Sequence, residues 1–226
     1  MNFPQALAGL IQTQLTTHAP PLIVALCGWA DTGKTTVARQ LCDALAQLGV
    51  SGDAISTDAF MKDRSERNAL GMSGFDPRSI NIHALDSAIR EFVVREPFAH
   101  HPYDNRTGTK QVSQRVVNPS DVLVVEGIHA FHLGIAKWMH LKVFLDADES
   151  NLRLMRYRAN MQKRGMAPAD AQTRIEQEWQ DFCAIVRPLI SSADLVVHVD
   201  PLYNYRWPLN AGDVATVADA MPHAPL

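Results

Sequence analysis

Gly28-Trp29-Ala30-Asp31-Thr32-Gly33-Lys34-Thr35 sets two glycines apart by four residues and follows them at once with a lysine and a hydroxyl. That spacing is what a phosphate-binding loop requires. Gly28 and Gly33 allow backbone conformations in which the N–H groups of Trp29, Ala30, Asp31 and Thr32 turn inward on phosphate oxygens. Lys34 brings a compact cation to the β- and γ-phosphates, and Thr35 offers a hydroxyl to Mg²⁺, with Thr36 beside it. A chance glycine turn before a lysine does not explain the full motif in its setting, with an apolar run before it and a helical pattern after it. Two carboxylates stand where such a loop needs them. Glu126 ends Val122-Leu123-Val124-Val125, and Asp58 follows Ala54-Ile55-Ser56-Thr57. Ligands of open α/β sheets gather at the carboxyl ends of strands, so both are candidates for metal and proton chemistry rather than simple turn or cap residues. Arg153, Arg156, Arg158, Lys163 and Arg164 then fall within twelve residues. Such a run is either a solvated basic face or a set of cations brought down on transferring phosphate.

These residues have to be positioned by elements that the apolar pattern also marks. Leu22 to Cys27, Ala54 to Ser56, Val122 to Val125, Leu141 to Leu145 and Leu195 to Val199 are short apolar runs without alternation, as in strands covered on both faces. Helical spacing appears over residues 4–17, in Val37, Leu41, Leu45 and Leu48, and over 86–94, 151–164 and 169–186. The alternation predicts one α/β domain over residues 1–226, with a mainly parallel five-stranded sheet and helices on both faces. Residues 68–118 break the rhythm and are expected to form an acceptor-binding insert with a hairpin; residues 151–168 are expected to form a helical lid.

Composition limits the function classes. The chain has 226 residues, 46% hydrophobic and 20% charged, with a formal net charge of −3. That balance argues against a nucleic-acid partner, which would favour excess Lys and Arg. No apolar stretch approaches the ~20 residues that span a bilayer. The start lacks a signal-peptide pattern, and Cys27, Cys42 and Cys183 form no CxxC pair, so a cytoplasmic protein with reduced thiols is expected. A homo-oligomer is compatible with all of this. Tyr203, Tyr205 and Trp207 fit two readings, a wall for a nucleotide base or packing of the tail.

The ordered motifs resemble the uridine kinase and phosphoribulokinase family of P-loop kinases over roughly residues 22–200. The resemblance is carried by the phosphate loop, Ser56-Thr57-Asp58-Ala59-Phe60, Gly74-Phe75-Asp76-Pro77, Tyr103-Asp104, Val124-Val125-Glu126-Gly127-Ile128, the arginine stretch and Ala193-Asp194-Leu195-Val196-Val197. It implies the P-loop NTPase fold, ATP and Mg²⁺, and a small-molecule hydroxyl as acceptor. It also implies that Asp58 takes the hydroxyl proton close to the metal and that Glu126 helps to hold Mg²⁺. On the same basis Asp76 and Tyr103 bind the acceptor, the arginine stretch serves in the lid, Arg156 and Arg164 are the catalytic candidates and Arg153 is an acceptor-binding one.

The chain departs from that pattern where uridine kinases read the pyrimidine. Asn105 follows Asp104 in place of an aromatic, and Arg106-Thr107-Gly108-Thr109-Lys110 contains no histidine. Arg106 and Lys110 point instead to an acceptor with negative charge, unless the segment is only a polar hairpin turn. The expected activity is therefore transfer of the γ-phosphoryl group to a nucleoside, with a sugar phosphate or carboxylated alcohol as the alternative acceptor. A non-catalytic ATP-binding regulator is a weaker reading, because Lys34, Thr35, Asp58 and Glu126 are all intact. A GTPase switch would need an N-K-x-D motif, and the chain has none.

Overall fold

A computed structural model describes residues 2–207. The expected domain also includes residues 208–226, which lie outside the described residues.

The chain opens with α1 (Phe3–Gln14), where Asn2 and Gln5 form a reciprocal capping box. Then come β1 (Leu22–Gly28), α2 (Lys34–Gln47), β2 (Gly52–Ser56) and the short α3 (Arg64–Ala69). After α4 (Ile82–Val93), two small antiparallel ladders fill the irregular stretch. β3 (Phe98–His100) pairs with β6 (Arg115–Val117), and inside them β4 (Tyr103–Asp104) pairs with β5 (Thr109–Lys110). β7 (Val122–Glu126), β8 (Leu141–Asp146), α5 (Glu149–Arg164), α6 (Pro168–Asp181), β9 (Leu195–Val199) and β10 (Tyr205–Arg206) complete the order.

The sheet runs β10-β9-β8-β1-β7-β2. All five expected strands are present and parallel to their neighbours. A sixth, the two-residue β10, pairs antiparallel with β9 at the edge and was too short to mark by periodicity. Within each strand, alternate side chains enter opposite cores. Leu22, Val24, Leu26, Val122 and Val124 face Leu7, Ile11, Val37, Leu41 and Leu45 of α1 and α2. Ile23, Ala25, Leu123 and Val125 face Leu85, Ile89 and Phe92 of α4 together with Met155, Ile175 and Trp179 of α5 and α6. Burial on both faces explains why these strands read as continuous apolar runs. The expected 169–186 helix changes its winding at Phe182, where a π-turn over Phe182–Val186 passes into a 3₁₀ turn before Ala193.

Candidate active site

The sheet order brings the predicted chemistry together. β1 lies between β8 and β7, and β2 lies on the far side of β7. Register places Leu26 and Ser56 on either side of Glu126, so β2 and β7 end level and β1 runs on to Gly28. From there β1 turns into the phosphate loop, and a 3₁₀ turn over Thr57–Phe60 carries Asp58 back toward it. Two glycines are required by close approach. Gly28 (φ 138°) passes against the Leu145 carbonyl, and Gly127 (φ 140°) passes against the Thr57 hydroxyl; a Cβ at either would overlap those atoms.

Lys34 is buried, and its ammonium donates to the carbonyls of Gly28 at 3.0 Å and Trp29 at 2.6 Å. Thr35 Oγ1 donates to Glu126 Oε1 at 2.9 Å. Burial raises the Glu126 carboxyl above the ordinary carboxylate range, with Lys34 opposing the shift. Burial likewise lowers Lys34, and the Glu126 charge opposes it. Asp58 Oδ2 accepts from Asn105 Nδ2 at 3.0 Å, which ties the β4–β5 hairpin to this carboxylate. Thr35, Asp58 and Glu126 all line one cleft of about 1110 Å³. A hydroxyl and two carboxylates are hard oxygen donors, and the Thr35–Glu126 hydrogen bond already brings two of them together. This set fits Mg²⁺, which takes few protein ligands and completes its shell with phosphate and water.

Ala30, Asp31, Gly33 and Thr36 of the loop region line the same cleft. Two loop side chains do not. Trp29 is fully buried, stacked on Phe182 and tilted against Trp179, and Thr32 donates to the Trp29 carbonyl at 2.8 Å. Trp29 is thus a core residue that anchors the loop, and only its backbone remains beside the phosphate site. Tyr203 and Tyr205 line the cleft beside Gly33, whereas Trp207 packs on Phe3.

The segment expected to form a lid, residues 151–168, covers most of α5 and the first residue of α6; the two helices pack on each other, and their placement separates the arginines. Arg156 and Arg164 line the cleft and both reach Asp31. Arg153 does not. It is held by Glu149 and Glu176 at 2.7 Å each and lies over the Trp179 ring, so helical proximity to Arg156 did not put it on the cleft face. Two expected acceptor residues also do not line the cleft, although their neighbours Phe75 and Asn105 do. Asp76 caps the 3₁₀ turn Pro77–Ser79 and is locked to Arg78 at 2.6 Å, while Arg106 is exposed and pairs with Asp104 of its own hairpin. Tyr103 accepts a hydrogen bond from Arg67 at 3.0 Å and lines an adjoining cavity of about 440 Å³ that shares Asp58, Asn105 and Glu126.

Arg64 and Arg67 of α3 line the main cleft and were not anticipated. Among the described residues neither is paired with a carboxylate; they donate to the carbonyls of Asn105, Arg106 and Lys62 and to the Tyr103 hydroxyl. Glu178, which anchors Arg156 at 2.6 Å, was also missed. Its sequence signal was only an Arg174–Glu178 pair at helical spacing, which reads as a surface contact.

Relatives share both sequence and architecture. A uridine kinase of Deinococcus deserti is 28% identical over 188 residues, covering 81% of this chain and 90% of that protein. A phosphoribulokinase of Synechocystis is 25% identical, covering 80% of this chain and 54% of that protein. A D-glycerate 3-kinase of Cryptococcus neoformans shares the fold with a TM-score of 0.72 at 14% identity, covering 90% of this chain and 98% of that one. The family model for phosphoribulokinase and uridine kinase matches residues 23–204, the span that carries the loop, both carboxylates and the helices α5 and α6, and the chain belongs to the phosphoribulokinase / uridine kinase family.

Proposed function

We propose that this chain transfers the γ-phosphoryl group of ATP to a hydroxyl of a nucleoside. The coarser part needs no proposal: members of this family are ATP-dependent phosphotransferases with an alcohol acceptor, and this chain is one of them. The observation that carries the site assignment is the hydrogen bond from Thr35 to Glu126 beside Asp58, at the strand ends that open on one cleft.

Backbone N–H groups of residues 28–33, the N-terminus of α2 and Lys34 bind the phosphates. Thr35, Glu126 and Asp58 would hold Mg²⁺, which neutralises and orients the triphosphate when bound. Asp58 accepts the proton of the acceptor hydroxyl and aims its oxygen at phosphorus. In a loose transition state positioning contributes more than basicity, so the Asn105 hydrogen bond that orients Asp58 belongs to the machinery. The lid excludes water that would otherwise take the phosphoryl group. We read residues 1–226 as one kinase domain, with 68–118 serving the acceptor and 151–168 the lid.

Met61, Met72, Phe75 and Ile128 line the cleft together with Asp58 and give it apolar surface that suits a nucleoside base. The uridine kinase relatives support the same class. A second reading, an acceptor carrying phosphate or carboxylate, is favoured by Arg64 and Arg67, which have no carboxylate partner among the described residues.

A survey of ADP formation against nucleosides, sugar phosphates and glycerate- and pantothenate-like alcohols separates the two. Stimulation by uridine or cytidine supports the nucleoside reading, and stimulation by anionic alcohols alone replaces it. With the acceptor found, Asp58→Asn should lower turnover by about 10²-fold or more, in line with loss of a positioned general base. ATP affinity should stay within about threefold, less than the 1.4 kcal/mol that corresponds to tenfold. Turnover within twofold of wild type would remove Asp58 from the mechanism.

A further inference from the structure

Asp31 is an unusual occupant of a triphosphate-binding loop, because an unpaired carboxylate there would repel the ligand. Its backbone is left-handed (φ 63°), and its carboxylate is turned away from bulk water toward the lid. Three cations of α5 reach it: Arg156 at 2.5 Å, Arg164 at 3.2 Å and Lys163 at 3.4 Å. The two guanidinium groups are held very differently. Arg156 is 4% exposed and donates from Nε and NH2 to both oxygens of Glu178 at 2.6 Å, while NH1 donates to Asp31. Releasing a buried guanidinium from two carboxylates is strongly unfavourable, so Arg156 is fixed. Arg164 has only the longer contacts to Asp31 and, at 3.3 Å, to Asn160, and its side chain is 22% exposed on the cleft wall. Arg156, Lys163, Arg164 and Arg174 also outnumber Asp31 and Glu178 in this cluster, which leaves it two positive charges in excess for an incoming anion.

We propose that Asp31 is a positioning residue: with Glu178 it fixes Arg156 as a strut between phosphate loop and lid, so that Arg164 is the guanidinium presented to the transferring phosphoryl group. This rests on the kinase reading above. The Asp31 carboxylate, unlike its backbone N–H, touches neither nucleotide nor acceptor in this scheme; it acts by setting where α5 lies when transfer occurs.

The test begins with nucleotide binding, which needs no acceptor. By calorimetry with ATP·Mg and ADP·Mg, Arg164→Gln should weaken ATP by about tenfold or more, the worth of one charge-assisted contact, and change ADP by less than about twofold. Equal weakening of both nucleotides would show that Arg164 faces something other than the terminal phosphate and would overturn the assignment. In the acceptor reaction, Asp31→Asn should keep ATP affinity within about threefold and lower kcat by about tenfold, with KM for the acceptor unchanged. Arg156→Lys should show the same loss, and the double variant should be no worse than the poorer single one. Restored or raised kcat in Asp31→Asn would make Asp31 a competitor for the lid cations, contrary to the proposal. If Asp31→Asn does not fold, hydrogen exchange of the wild-type protein decides. A built-in strut keeps α5 and α6 protected without nucleotide, whereas fast exchange that slows only with a non-hydrolysable ATP analogue overturns it. Failure of the kinase reading would appear separately, as wild-type protein that no hydroxyl compound stimulates.

Discussion

At the scale of single residues, the site depends on one ammonium at the loop. Lys34 is buried among the Gly28 and Trp29 carbonyls, within the electrostatic reach of Glu126 and Asp58. A charge desolvated there is stabilised when it gains phosphate oxygens, because electrostatic interactions strengthen away from water. Lys34→Ala removes the cation and leaves its carbonyl partners to find water, so two effects combine. ATP·Mg affinity should fall by about ten- to hundredfold, as expected for one lost contact to a charged group, and turnover should fall further because the same contact follows the γ-phosphoryl group. Calorimetry and steady-state kinetics on the same preparation check both; unchanged affinity and turnover would remove the loop from the mechanism. Cys27 stands at the end of the same strand, but burial pushes its thiol up to about 11, which makes it a packing residue rather than a nucleophile.

At the scale of elements, strands and loop were legible because their signals are local. Apolar runs such as Val122 to Val125 are buried on both faces, and the phosphate loop has a fixed spacing. The acceptor side was not legible. Arg106 and Asp76 looked available in sequence, yet each is held by a neighbour two residues away, and Arg64 and Arg67 reach the cleft only because α3 folds back under the hairpin. The first two pairings depend on the turn each segment takes and the reach of Arg64 on tertiary placement, and residue spacing encodes neither. The junction between β7 and the loop after it offers a test of element placement. Gly127 has φ 140° and lies against Thr57, the residue before Asp58. Gly127→Ala would push the end of β2 and its 3₁₀ turn away from β7. The overlap and the strained backbone together should cost about 1–3 kcal/mol. Asp58 would move with that turn, so turnover should fall more than the melting temperature implies. Thermal unfolding alongside kinetics reads both, and full activity at wild-type stability would show that the junction yields without moving Asp58.

At the scale of the whole molecule, α5 and α6 are joined to the phosphate loop by two contacts of different chemistry. One joint is apolar: Trp29 of the loop packs on Trp179 of α6 and on Phe182. The other is ionic: Asp31 and Glu178 hold Arg156, while the sheet cores beneath contain mostly apolar side chains. Only the ionic joint responds to acid. Burial alone would raise the Asp31 and Glu178 carboxyls, but the guanidinium groups around them outweigh it and hold both below their ordinary values of 3.8 and 4.5. Groups depressed in the folded protein contribute stability that is fully present above those ordinary values and is lost as pH falls through the lower folded ones. α5 and α6 should therefore stay seated on the loop from neutral pH down to about 4.5 and loosen below it, before the sheet unfolds. Tryptophan emission is a suitable reporter, because Trp29 and Trp179 lie at the joint. On acid titration it should shift to the red at a higher pH than the loss of far-ultraviolet circular dichroism, and Glu178→Gln should move the emission change toward neutral pH. Coincident transitions in the wild-type protein would mean that α5, α6 and the sheet unfold as one unit, with the apolar joint strong enough to hold α6 after the carboxylates are protonated.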